Sequence, residues 1–414
     1  MSVQDTPGTT RAVTAGVDWA KDNHAICIID GEGEPVERFT VAHNKAGLAR
    51  LNTILDRHGV NTIGIERGDG PVIDALLAAG RIIYVIPPSQ VKALRQRYGS
   101  AGNKDDRFDA FVLADTVRTD QRRLTPLLLD GEATIALRKL CRARKDLVAH
   151  RVAVTNQLRA HLQAALPAVV DLFRDLDSAI SLRFVTRFDT QDTLDWLSPK
   201  RLAAWLSSVG YCGRVDPAVL HARITAAPSG TRGEHGRALA GITHAYLSTL
   251  HTITAQIDAL AQQISEALTL HPDRQIFTSL PRSGTIRAAR LLAEIGDARG
   301  RFPTAASLAC LAGVAPSTRQ SGKVRIVAFR WAVDKQLRDA VCDFAGDSRR
   351  ANPWAAELYN RARGRGHDHP HAVRILARAW LDIIWKCWTT DTTYEPDRHR
   401  ALQRLLNQDQ TVTG

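Results

Sequence analysis

The chain has 414 residues, 44% hydrophobic and 24% charged, with a formal net charge of +12 and a pI near 9.7. That length exceeds one ordinary core and predicts two or three domains of soluble globular type, while the charge suits a polyanionic partner. No apolar run reaches the roughly 18 residues of a bilayer span, no signal peptide opens the chain, and six scattered cysteines without a C-x-x-C pair argue against a zinc site or a disulfide framework, so the reading is a cytoplasmic protein.

Residues 1–11 read as a disordered N-terminus. Residues 12–125 then alternate in a legible way. Three strand-like segments come first, at 12–18, 23–30 and 35–41, the last two joined by the hairpin signal Gly31-Glu-Gly-Glu34. A helix near 45–58, a strand at 61–66, a helix from Gly70 to Ala79 and a strand at 81–86 follow, and Pro87-Pro88 opens the next helix. The order βββαβαβα predicts an α/β RNase H-like (RuvC-like) domain with a mixed sheet. Leu137, Leu140, Leu147, Val154, Leu158 and Leu162 recur at helical spacing over about 130–165, and a second such helix runs from about Gly236 to Leu268. The two fit an antiparallel coiled coil or two core helices of a bundle. Between them, 167–235 is a Pro-, Gly- and Asp-punctuated insert with short helices. An α-helical domain over 275–388 comes next, starting with a helix-hairpin-helix-like segment, Ser279 to Asp297, whose Gly-containing turn would offer backbone N–H groups to a phosphate. The rest, 389–414, reads as a polar, frayed tail.

Charge divides unevenly along this plan. Residues 1–125 hold 16 Lys/Arg against 16 Asp/Glu, and 273–386 hold 20 against 10. The C-terminal part therefore carries the main grip on phosphates. Arg282, Gly284 and Arg287 in the helix-hairpin-helix segment, and Arg319, Gly322, Lys323 and Arg325 further on, are the candidate nucleic-acid contacts.

Four carboxylates carry the chemistry. Asp18 and Glu66 end two strands, and Asp106 and Asp109 lie three apart on one helix face. Acids so dispersed suit hard divalent cations held against phosphate oxygens. The pair alone would fit a solvated face or a favourable first helical turn; its conjunction with Asp18 and Glu66 favours a metal-dependent nuclease. Asp105 is the neighbour in register, about 100° around the helix. Farther on, Ser321 sits beside Gly322 among cations, which suits a phosphodiester and charge developing at phosphorus. On the residues alone, a phosphate-contacting loop serine is the plainer reading, and Ser317 is the nearest competitor. His367-Asp-His-Pro-His371 reads as a solvated basic loop, Ser100-Ala-Gly-Asn-Lys104 lacks P-loop spacing, and Trp331, Trp354, Trp380, Trp385 and Trp388 read as core.

Three blocks resemble a known family: Gly16-Val-Asp18-Trp-Ala-Lys21-Asp-Asn-His24; Gly64-Ile-Glu66 with Lys104-Asp-Asp106-Arg-Phe-Asp109-Ala110; and Phe302 to Pro316 with Ser321-Gly322-Lys323. On them the chain resembles the DEDD transposases of the insertion-sequence one-ten family, recombinases guided by an RNA made from the element's own end. The likeness covers about 12–125 and 275–388. It implies a DNA transposase in which Asp18, Glu66, Asp106 and Asp109 hold Mg²⁺ and Ser321 is the nucleophile. It also implies DNA partners (element ends and target), a guide RNA, and a homodimer or homotetramer. Asp105 and Arg67 depart from the residues common in the family, and the 167–235 insert is longer than in compact members. Two other readings of the chain stay open: a Holliday-junction-type nuclease using only the acids, and a catalytically dead nucleic-acid-binding protein.

Overall fold

Strand alternation sets the first layer of structure. In the computed structural model, which describes residues 13–98, 105–322 and 324–412, β1 (Thr14–Asp18) lies at the centre of a five-stranded sheet. It pairs antiparallel with β2 (Asn23–Ile29), which pairs antiparallel with β3 (Pro35–Ala42). On its other side β1 pairs parallel with β4 (Thr62–Ile65), and β4 with β5 (Ile82–Val85), giving the order β3-β2-β1-β4-β5. This mixed topology is that of an RNase H-like domain, as the element order predicts. Residues 1–11, the Ser100–Lys104 stretch and Lys323 lie outside the described residues.

The sheet is covered on both faces because β1 is apolar or small on both. Ala15, Val17, Ile26, Ile28, Ile63 and Ile65 pack with α1 (Lys45–Arg57) and α2 (Pro71–Ala78). Ala25, Cys27 and Ile29 pack the opposite face with Ala110 and Ala114 of α4 (Asp106–Asp120), and α3 (Pro88–Arg95) packs beside α4. The period of two therefore places Thr14, Gly16 and Asp18 on the α4 face. Thr14 Oγ1 donates to Ala114 O at 3.2 Å, in agreement. Glycine at 16 is a steric requirement: a Cβ there would lie 1.9 Å from Ala110 O, and one at Gly64 2.6 Å from Leu113 O.

The chain divides into two compact units, Met1–Leu129 and Asp130–Gly414. The second is built on α5 (Glu132–Ala165) and α10 (Gly233–Leu270). They run antiparallel: His161 Nε2 meets Thr243 Oγ1 at 2.9 Å, and Thr134 Oγ1 meets His271 Nε2 at 2.8 Å. The pair joins two cores. At one end Leu158, Leu162, Leu247 and Leu250 enter a core with the insert, which forms α6 (Ala179–Arg187), α7 (Gln191–Asp195), α8 (Pro199–Ser208) and α9 (Pro217–Ala226) around Phe184 and Phe188. At the other end Leu137, Cys141, Ile264 and Leu268 join the C-terminal core.

That C-terminal core contains α11 (Arg274–Thr278), α12 (Gly284–Ile295), α13 (Ala305–Leu311), α14 (Lys335–Ser348), α15 (Pro353–Gly364) and α16 (His369–Thr390). Trp380 and Trp388 are fully buried, their indole N–H groups donating to Ser348 Oγ at 2.9 Å and Gly296 O at 2.8 Å. Four features differ from the sequence reading. The C-terminal domain is not wholly helical: β6 (Ser317–Ser321) and β7 (Val324–Ala328) form an antiparallel hairpin. Trp331 is 81% exposed, because it follows that hairpin and lies outside any helix. The expected frayed tail contains α17 (Arg400–Val412), where Leu402, Leu405 and Leu406 make a helical stripe and Leu402 is buried. The expected His loop starts α16, with Asp368 capping its first turn by accepting from His371 N at 2.8 Å.

Candidate active site

Asp18 and Glu66 leave the ends of adjacent parallel strands on the face covered by α4. Helix α4 runs antiparallel to β1, since Thr14 lies against Ala114 and Gly16 against Ala110. Two further strand residues advance about 6.6 Å, and four helical residues go back about 6 Å. Asp18 is therefore level with Asp106. The same step from Gly64, which lies against Leu113, sets Glu66 level with Asp109. All four acids reach one end of the sheet. They are not drawn into one cluster: among the described residues, no three His, Cys, Asp or Glu side chains are arranged to hold a metal ion.

The four differ in environment. Asp109 is 2% exposed and ion-pairs with Arg95 of α3, Asp106 is exposed in the first turn of α4, and Asp18 and Glu66 are half-buried. Asp105 is the N-cap of α4, its carboxylate accepting from Arg107 N at 3.0 Å. That capping role separates it from Asp106 and explains the extra acid. The sequence reading missed Arg95, since helical spacing gives no sign that it reaches the acidic end. It also missed the neighbouring aromatic group, where Arg67 stacks over Trp19 at 4.5 Å and the buried His24 meets His43 at 2.8 Å. Burial and the adjacent His43 lower the His24 pKa, so this ring stays neutral at neutral pH.

The donor set consists of hard carboxylate oxygens, and the buried member already attracts a cationic side chain. Such oxygens are the donor chemistry that hard divalent cations take.

Ser321 ends β6 at the tip of the exposed hairpin, and its partner on β7 is Val324. Gly322 has φ +55°, the left-handed conformation that such tight hairpins require. Arg319 shares the Ser321 face of the hairpin and Arg325 lies on the other, by strand alternation. Both are exposed, and neither has an ion-pair partner among the described residues. The helix-hairpin-helix candidates are placed differently. Gly284 opens α12 with φ +57°, but Arg282 donates to Asp347 at 2.9 Å, and Arg287 binds Asp343 at 3.0 Å and Asp347 at 2.8 Å. These two guanidiniums tie α12 and its turn to α14.

The hydrogen bond from Arg282 holds the Asp347 carboxyl below the usual carboxylate range, with Arg287 and Arg350 adding to it. A folded pKa below the unfolded one means stabilisation present above about pH 4 and lost as pH falls through the folded value. Asp347→Asn is therefore expected to lower the thermal midpoint at pH 7 and to weaken the loss of stability on acidification. Melting curves by circular dichroism from pH 7 to pH 3 check this.

Residues 15–167 match a family described as transposase, the DEDD transposases of IS110, and residues 274–360 match the family described as transposase IS116/IS110/IS902. The "Mini-circle putative transposase for IS117" of Streptomyces coelicolor is 31% identical over 410 residues, covering 95% of this chain and 97% of that protein. The chain belongs to the IS110 family of transposases. It is a DNA transposase of the insertion-sequence type. This transposase is also 30% identical over 395 residues to the "Insertion element IS900 uncharacterized 42 kDa protein" of Mycobacterium paratuberculosis, covering 93% of this chain and 97% of that one. A T. thermophilus RuvC solved with a Holliday junction substrate aligns over 28% of the transposase and 99% of that chain, at 18% identity and a TM-score of 0.23. Among the described residues no helix of the transposase is long and apolar enough to cross a membrane.

Proposed function

We propose that this transposase cuts and rejoins DNA by transesterification, with Ser321 as nucleophile and Asp18, Glu66, Asp106 and Asp109 as the ligands of Mg²⁺. The observation that carries the reading is the levelling of Asp18 with Asp106 and of Glu66 with Asp109 at one end of the sheet. A bound divalent cation supplies Lewis-acid stabilisation of charge on the phosphate. Ser321 Oγ attacks phosphorus, its proton leaving to a general base, and the bond to the departing sugar oxygen breaks as that oxygen is protonated. One ester bond replaces another, so a phosphoserine linkage conserves the energy and no nucleotide cofactor is needed. The hydroxyl of a second strand then reverses the step onto new DNA.

Guide RNA supplies sequence recognition, with the protein reading backbone and shape. The surplus of Lys and Arg in the C-terminal third supports this division of labour. Two DNA duplexes must be held at once, so the working form is a homodimer or homotetramer.

Asp18→Asn removes one charge from the acid set without changing its volume. It is expected to slow strand cleavage on the order of 100- to 1000-fold in Mg²⁺ with the protein still folded. Gel assays of cleavage with guide RNA and both DNAs test this, and wild-type rates in the variant would remove Asp18 from the reaction.

A further inference from the structure

Helix α14 carries two kinds of charge. Asp339, Asp343 and Asp347 recur at four-residue spacing, and each is matched. Asp339 binds Lys145 at 2.7 Å and Arg290 at 2.6 Å, Asp343 binds Arg287, and Asp347 binds Arg282, Arg287 and Arg350. The acids are thus consumed by α5, α12 and the end of α14 itself. Around the same groove, of about 750 Å³, stand Lys335 and Arg338 of α14 and Arg374 of α16, none with a carboxylate partner among the described residues.

Arg338 and Arg374 gather over one ring, their guanidinium carbons 5.1 and 4.9 Å from the centroid of Phe329. Two like charges beside one ring repel each other, and the groove's three acids, Asp339, Asp343 and Asp347, are already engaged by other cations. Arg338 Nη1 is moreover enclosed without a hydrogen-bond acceptor, a costly state for a charged donor. A second cleft, of about 410 Å³, shares Phe329 and Arg374 and adds Arg330, which donates to the carbonyls of Ala315 and Pro316. The two clefts adjoin at Phe329 and Arg374, and cations line both.

These clefts start at the root of the hairpin, because Phe329 follows β7 directly. Five strand residues separate it from the tip, about 16 Å. A ligand that occupies both tip and clefts must be a chain of anions, which describes a phosphodiester backbone and excludes a small metabolite. We propose that Lys335, Arg338 and Arg374 form a phosphodiester track, which holds the nucleic-acid strand flanking the phosphate presented to the hairpin tip. The proposal rests on the Ser321 reading for its direction. Phosphate contact by Arg282 and Arg287 is not required.

The test is salt-dependent binding of the full chain to two labelled probes of one sequence, a 25-base-pair DNA duplex and a 25-nucleotide RNA, by fluorescence anisotropy. In Arg338→Gln/Arg374→Gln, binding should weaken at least tenfold at about 0.15 M salt. The slope of log K against log salt should fall by about 1.4 to 1.8, for two lost contacts of about 0.7 to 0.9 each. Arg338→Lys/Arg374→Lys should restore most of that slope. A fall confined to the duplex assigns the track to DNA, and one confined to the RNA assigns it to RNA. Should the double Gln variant melt early, the exposed Lys335→Glu carries the test, with a slope lower by about 0.7 to 0.9. Folded variants with wild-type slopes on both probes overturn the proposal. Failure of the track is read in these binding slopes and failure of the serine chemistry in the covalent adduct, so the two are distinguishable.

Discussion

Ser321→Ala is expected to abolish the covalent protein–DNA linkage and strand exchange, by a factor on the order of 10⁴ to 10⁶, while leaving the melting temperature unchanged. The reason for the intact fold is local. Ser321 is exposed at a hairpin tip, and the turn beyond it is set by Gly322 and by the pairing of Ser321 with Val324 through backbone groups. Removal of a hydroxyl there leaves no cavity and no buried partner. Ser317→Ala is the matched control. Ser317 pairs with Ala328 at the hairpin root, four strand residues or about 13 Å from the tip, and its loss should leave the linkage in place. Detergent-resistant adducts on a denaturing gel, with guide RNA, both DNAs and Mg²⁺ present, report both variants.

Gly16→Ala should be as damaging by a different route. The added Cβ would stand 1.9 Å from Ala110 O and 2.5 Å from Ala114 N, both backbone atoms of α4. A helix backbone cannot yield as a side-chain end can, so α4 must lift from β1 at a cost of about 3 kcal/mol or more. Lifting α4 also moves Asp106 and Asp109 away from Asp18 and Glu66. Cleavage should therefore fall together with the stability of the N-terminal unit, and Gly64→Ala, with 2.6 Å to Leu113 O, should behave similarly. Gly241→Ala provides the contrast. Gly241 lies within α10 with nothing within 4 Å of its would-be Cβ, and the change should stabilise the helix by about 0.5 to 1 kcal/mol. Thermal melts of the three variants, read beside cleavage rates, separate steric damage from general intolerance of alanine.

Much of the N-terminal unit was legible because its signals are local. Short strand-like segments, mostly apolar in β1, mark β1 to β3, Gly31-Glu-Gly-Glu34 marks a hairpin, and Pro87-Pro88 marks a helix start. Each strand lies within a few residues of its expected position. The four acids were legible as strand ends and a helix face, since a parallel pair of strands must bring its C-terminal ends together. What escaped was set by tertiary contact. Nothing in the spacing of Arg95 signals that it reaches Asp109, and nothing in Arg282 or Arg287 signals that Asp347 engages both. The β6–β7 hairpin is a different case. In the sequence, the Gly322-Lys323 pair between Thr318 on one side and Val324, Ile326 and Val327 on the other is a sufficient hairpin signal that a helical expectation for the domain overrode. The tail likewise carried a helical stripe in Leu402, Leu405 and Leu406 that its polar composition masked.

The proposed division of labour between the carboxylate set and Ser321 is tested most directly by locating the covalent bond. Wild-type protein is incubated with guide RNA, both DNAs and Mg²⁺, digested with protease and nuclease, and the nucleotide-bearing peptide is sequenced by mass spectrometry. A nucleotide on Ser321, absent from Asp18→Asn under the same conditions, is the expected result. Cleaved DNA with free ends and no modified peptide, or a nucleotide on Ser317, would contradict it.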